Sequence, residues 1–67
     1  MIPNSLRELA EMIAKRDGIS YKEAAIAVKE AAIELEEAFM DGSIIEAEDI
    51  LASSLGLEPD YLDLFIM

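Results

Sequence analysis

The stretch SYKEAAIAVKEAAIELEEAFMDG, residues 20–42, decides how this chain folds. It holds no proline, and no glycine before Gly42. At about 100° per residue, Tyr21, Ala24, Ala25, Val28, Ala31, Ala32, Leu35 and Phe39 fall within about 60° of Val28, the single apolar stripe of a helix. Ser20 and Glu23 stand three residues apart, as in a capping box, where each side chain accepts from the other's backbone amide. The stretch therefore predicts a helix over about 21–41. The small residues Ala24, Ala31 and Ala32 would let a second helix approach closely.

The same helix carries a second apolar line. Ile26, Ile33 and Met40 are spaced by seven and lie about 120–160° from Val28, among Lys22, Lys29, Glu30 and Glu37. Two readings are open. The line is a seam for another protein or a second copy, flanked by charge as such seams are. Alternatively, the helices on either side sandwich this one and both of its faces are core.

Outward from this helix, Gly18, Gly42 and Gly56 each close an apolar periodic segment, the position a helix C-cap glycine takes. A first helix is predicted over about 5–17, with Asn4 or Ser5 receiving its free amides and Leu6, Leu9, Met12, Ile13 and Arg16 on one side. Ser43 and Glu46 repeat the capping pattern before a third helix over about 44–55, whose buried side is Ile44, Ala47, Ile50, Leu51 and Leu55. Glu58-Pro59 begins a short fourth helix over about 59–65, where proline's missing amide hydrogen costs nothing. No run alternates with the period of a strand. The expectation is an all-α fold, a single domain over 1–67 with three main helices and a short C-terminal one. The tail Leu64, Phe65, Ile66 and Met67 is apolar enough to need a packing partner, on this chain or another.

Charge divides the chain. Residues 1–29 hold all five basic groups against four acids, about +1 net, whereas residues 30–67 hold eleven acids and no base, −11 net, for −10 in all. An acidic field of this kind repels phosphate, so neither nucleic acid nor an anionic membrane is an expected partner of the C-terminal part. Glu30, Glu34, Glu37 and Asp41 form an acidic row along the second helix; like charges at such spacing cost a few tenths of a kcal/mol each. The row is either a solvated face or a surface for a basic partner. Absence of a signal peptide at the N-terminus, of Cys and of any long uncharged apolar run predicts a cytoplasmic protein.

Several chemistries lack their residues. The chain has no His and no Cys, which removes the imidazole base, the Ser-His triad and thiolate ligands. Ser5, Ser20, Ser43, Ser53 and Ser54 have no base to activate them. Glu34, Glu37 and Glu46, or Glu46, Glu48 and Asp49, are the combinations that could gather a hard cation. Asp41-Gly42-Ser43 opens like a calcium loop, but the central glycine is missing and Ala52 stands where the bidentate acid belongs. No cofactor, no metal and no catalytic activity are expected. At 67 residues without disulfides a lone core is marginal, which favours oligomerisation.

Asp17-Gly18-Ile19-Ser20-Tyr21-Lys22-Glu23-Ala24, the Glu-rich second helix and Leu55-Gly56-Leu57-Glu58-Pro59-Asp60-Tyr61-Leu62 together resemble small acidic helical proteins, mostly uncharacterised, of Gram-positive prophages and other mobile elements. The resemblance spans most of the chain and rests on helix caps and core positions, so it transfers no functional residue. It implies a non-catalytic accessory protein with a host factor as a candidate target.

Three functional readings follow. The first is a self-associating interaction module, a homodimer or a binder of another protein, using Ile26, Ile33 and Met40 and, second, Leu64, Phe65, Ile66 and Met67. The second is an acidic decoy for a nucleic-acid-binding protein, a DNA mimic or antitoxin-like inhibitor. The third is a helix-turn-helix DNA binder across Leu9 to Val28, opposed by the glutamates that follow and by the thin reading surface of Tyr21, Lys22 and Glu23.

Overall fold

Three serines start the three main helices. The Oγ atoms of Ser5, Ser20 and Ser43 accept from the backbone amides of Glu8, Glu23 and Glu46 at 3.2, 3.1 and 3.2 Å. Each bond satisfies one of the amides that a helix start leaves without a partner. Among the described residues only the serine half of the expected capping boxes forms, since the exposed glutamates keep their carboxylates in water.

The computed structural model describes residues 3–66. Helix α1 spans Leu6–Asp17, α2 Tyr21–Met40 and α3 Ile44–Ile50. Helix α3 continues into a wider π turn over Leu51–Leu55, and a 3-10 turn over Pro59–Leu62 leads into α4, Asp63–Ile66. The fold is all-α, and the described residues contain no strand. The third helix therefore reaches Leu55 as the sequence predicts, but its last turn is not α-helical.

Gly18 closes α1 at φ 67°, a conformation that costs a residue with a Cβ. Its amide and that of Ile19 both reach back to the Ala14 carbonyl. Gly56 closes the π turn at φ 65°, with its amide and that of Leu57 directed to the carbonyls of Ala52 and Leu51.

Helix α2 is the spine. Its twenty residues, at about 1.5 Å each, run nearly the length of a molecule whose long dimension is 33 Å. Helix α1 packs on it, and α3 with its π turn packs back along it after the tight turn at Gly42. The core contains Leu9, Ala10 and Ile13 of α1, Ala24, Val28, Ala31, Leu35 and Ala38 of α2, and Ala47, Leu51, Leu55, Leu57 and Leu62 beyond. No charged or polar residue is buried among the described residues.

The buried stripe of α2 differs from the expected one. Ala38 is buried, while Tyr21 is 47% exposed and Ala25, Ala32 and Phe39 are only partly covered. The centre of burial is rotated by about 40° from Val28, toward the line Ala24, Ala31, Ala38. Alanine adds little to an apolar pattern yet allows close helix packing, so the inward face follows the alanines rather than the larger side chains. Leu6 and Ile44, expected in the core, are 37% and 54% exposed for related reasons: each sits in the first turn of its helix, beyond the packed middle.

Candidate interaction surface

On α2 the line Ile26, Ile33, Met40 stands about 180° from the centre of the buried stripe. These residues are 50%, 53% and 81% exposed. Helices α1 and α3 do not sandwich α2; both pack against its inner side and leave the ridge uncovered. The ridge stays apolar along its length, and Lys22, Lys29, Glu30, Glu36 and Glu37 border it, all exposed. Exposed apolar side chains repeated along one helix line are the pattern of an association surface.

The tail divides. Leu64 and Phe65 are half-buried and pack against the core, so this chain supplies their partner. Ile66 is 60% exposed. Met67 lies outside the described residues.

Glu30, Glu34, Glu37 and Asp41 are all exposed along α2. Among the described residues none of them has an ion-pair partner; the one salt bridge there joins Arg16 to Asp17. Among the described residues the one side-chain hydrogen bond to the row comes from the Ser54 hydroxyl, which donates to Glu34 Oε2 at a long 3.5 Å. The carboxylates do not gather. Among the described residues no three acids converge on a point that could hold a metal ion. The turn Asp41-Gly42-Ser43 instead joins α2 to α3, with Ser43 committed to capping.

Sequence reasoning passed over a shallow groove between α1 and α2. Leu6, Ala10, Tyr21, Ala25, Val28 and Ala32 line it, and Arg7 and Lys29 stand at its edge. The groove exists because the α2 stripe is rotated, which leaves Ala25 and Ala32 at the margin of the helix contact. The seven-residue spacing of Ala24, Ala31 and Ala38 was the available signal. At the far end of α1, the Arg16 guanidinium bonds both oxygens of Asp17, at 2.8 and 3.1 Å, and the Leu55 carbonyl at 2.8 Å. The hydrogen bond from Arg16 holds the Asp17 carboxyl below its ordinary value and raises Arg16, against a smaller opposing effect of burial.

Tyr21, Lys22 and Glu23, the reading turn of the helix-turn-helix alternative, are exposed at the start of α2. No described helix is long and apolar enough to cross a membrane. No known family model, curated protein or solved structure matches the chain.

Proposed function

We propose that this protein is a non-catalytic interaction module that self-associates through the α2 ridge Ile26, Ile33 and Met40. One observation carries the reading: three large apolar side chains, each at least half exposed, lie in a line opposite the buried face of the longest helix. Water contact along such a line is unfavourable by roughly 25 cal/mol per Å² of apolar surface, which association recovers. A core this small gains further from a partner. The proposed setting is the cytoplasm, and an accessory role fits the proteins that the sequence resembles.

Molar mass by light scattering over a wide concentration range tests the proposal. A mass that rises to that of a dimer supports it. A chain that stays monomeric at every concentration overturns self-association.

A second reading has its own observation. Glu30, Glu34, Glu37 and Asp41 are exposed and have no ion-pair partner among the described residues, so their charge is available to a basic protein. In that reading the acidic side occupies the phosphate-binding groove of a nucleic-acid-binding protein. Binding would weaken steeply as salt screens it, and salt-insensitive binding would count against a decoy.

A further inference from the structure

We infer that two copies of this chain pair antiparallel along α2, crossing at Ile33, with Ile26 of each copy against Met40 of the other. The inference rests on the self-association proposed above and adds its geometry. With Ile33 at the two-fold axis, each ridge residue faces the ridge residue equally far from Ile33 on the other side, and each flanking residue faces the same flank of the other copy. Ile26 and Met40 are both seven residues away, so the three apolar positions meet only one another. Parallel pairing in register would also match them, as Ile26 on Ile26 and Met40 on Met40, and charge must choose.

The nearest charges do not decide. Lys29 finds an acid in either orientation: Glu36 of the second copy when antiparallel, Glu30 when parallel. A pair of like charges also remains either way, Glu30 facing Glu37 when antiparallel and Glu36 facing Glu37 when parallel. The ends of the helix decide. The first half of α2 carries Lys22 and Lys29 against Glu23 and Glu30 and is neutral overall, and the second half carries Glu34, Glu36 and Glu37 and leads into Asp41 and Glu46 with no base. All these side chains are exposed. Parallel pairing would lay two unrelieved acidic ends side by side. Antiparallel pairing sets each acidic end beside the other copy's lysine-bearing half. It also opposes the two helix dipoles, which parallel pairing would align.

The natural chain has no cysteine, so single cysteines report the orientation directly. Three full-length variants are prepared, Ile26→Cys, Met40→Cys and Ile33→Cys, each at an exposed position, and oxidised at concentrations where the natural chain associates. Facing helices bring matched positions within the Cα separation of about 4.4–6.8 Å that a disulfide requires. A mixture of the Ile26→Cys and Met40→Cys proteins is expected to give the mixed disulfide about tenfold over either homodimer, the ratio of about 1.4 kcal/mol in orientation. Homodimers in excess would establish parallel pairing and overturn the inference while leaving self-association intact. The Ile33→Cys variant links in both orientations. If the chain associates but Ile33→Cys does not link, the ridge is not the seam, and both this inference and the proposed use of the ridge fail. A monomer by light scattering fails the self-association reading itself.

Discussion

The guanidinium of Arg16, at the end of α1, donates to the backbone carbonyl of Leu55, thirty-nine residues away, at 2.8 Å. That carbonyl belongs to the last turn before Gly56, where a helix has acceptors without internal partners. The π turn sends the amides of Gly56 and Leu57 back to earlier carbonyls, and the Leu55 oxygen takes its donor from another helix. Arg16 thus caps a helix that is not its own and joins the two ends of the fold. It lies on the inward side of α1 not as a core residue but as a polar strap whose head stays 41% exposed.

Arg16→Ala should lower stability by about 1 kcal/mol, the usual net value of one such hydrogen bond. In a domain of this size that is a drop in Tm of about 4–8 °C. Arg16→Lys should recover little, because one ammonium cannot reproduce the planar fork that serves Asp17 and Leu55 together. Thermal melts of the three proteins followed by circular dichroism check both statements. A Lys variant as stable as the natural chain would show that charge alone matters at this site.

Asp17 gives a dependence on pH. Its carboxyl is held below its ordinary value in the folded chain by the Arg16 hydrogen bond. A group depressed on folding contributes stability above its unfolded value, and the contribution is lost as pH falls through the folded one. The stability difference between the natural chain and Asp17→Asn should therefore be constant at neutral pH. It should shrink on the acid side, beginning near the ordinary aspartate value of about 3.9. Urea unfolding of both proteins at several pH values measures it. A difference unchanged into strong acid would rule out the ion pair as its source.

The two faces of α2 should respond oppositely to substitution. Leu35 is fully buried, and Leu35→Ala should cost about 2–5 kcal/mol. That is a large share of the roughly 3–10 kcal/mol expected at about 0.05–0.15 kcal/mol per residue. Ile33 is 53% exposed, and Ile33→Glu should leave the helical spectrum intact and return the protein to monomer. Far-UV spectra with light scattering separate these outcomes. A melted Ile33→Glu would place that side chain in the core.

Ala31 tests the close approach of the helices. It is 1% exposed in the middle of the α2 contact face. Ala31→Val keeps the residue apolar but adds two methyl groups at a buried core position, and overpacking of this kind costs about 1–3 kcal/mol. Ala27→Val, at a partly covered position of the same helix, should cost less. Equal losses for the two would mean that helix propensity rather than packing controls both.

Salt separates the two functional readings. Two copies that each carry −10 repel overall, so screening should strengthen self-association as ionic strength rises. Capture of a basic protein by the acidic row should weaken over the same range. Sedimentation at low and high salt, with and without a basic protein such as a histone, resolves the two. Self-association that dissolves in salt would point to a seam built on charge rather than on Ile26, Ile33 and Met40.

The parts of the fold that the sequence made legible are those governed by neighbours in the chain. Ser5, Ser20 and Ser43 start helices through bonds three residues long, and Gly18, Gly42 and Gly56 end them through their own φ angles. The parts it concealed depend on distant residues. Nothing near Leu55 announces that its carbonyl will receive Arg16. The rotation of α2 toward Ala38 depends on how closely α1 and α3 approach, and alanine has too little side chain to register in a pattern of apolar residues. The ridge was legible because Ile26, Ile33 and Met40 share one spacing. Whether it was surface or core was not, because that turns on where two other helices settle.

The inward row of α2 and its outward ridge have no residue in common. Under the proposed use of the ridge, substitutions at Ile26, Ile33 or Met40 would change the seam while sparing the buried row, so specificity would be free to drift by single steps. A lineage of such chains could then exchange one companion for another while its buried row stays fixed. The inner alanines have no such freedom, and divergence between relatives should concentrate on one side of this helix.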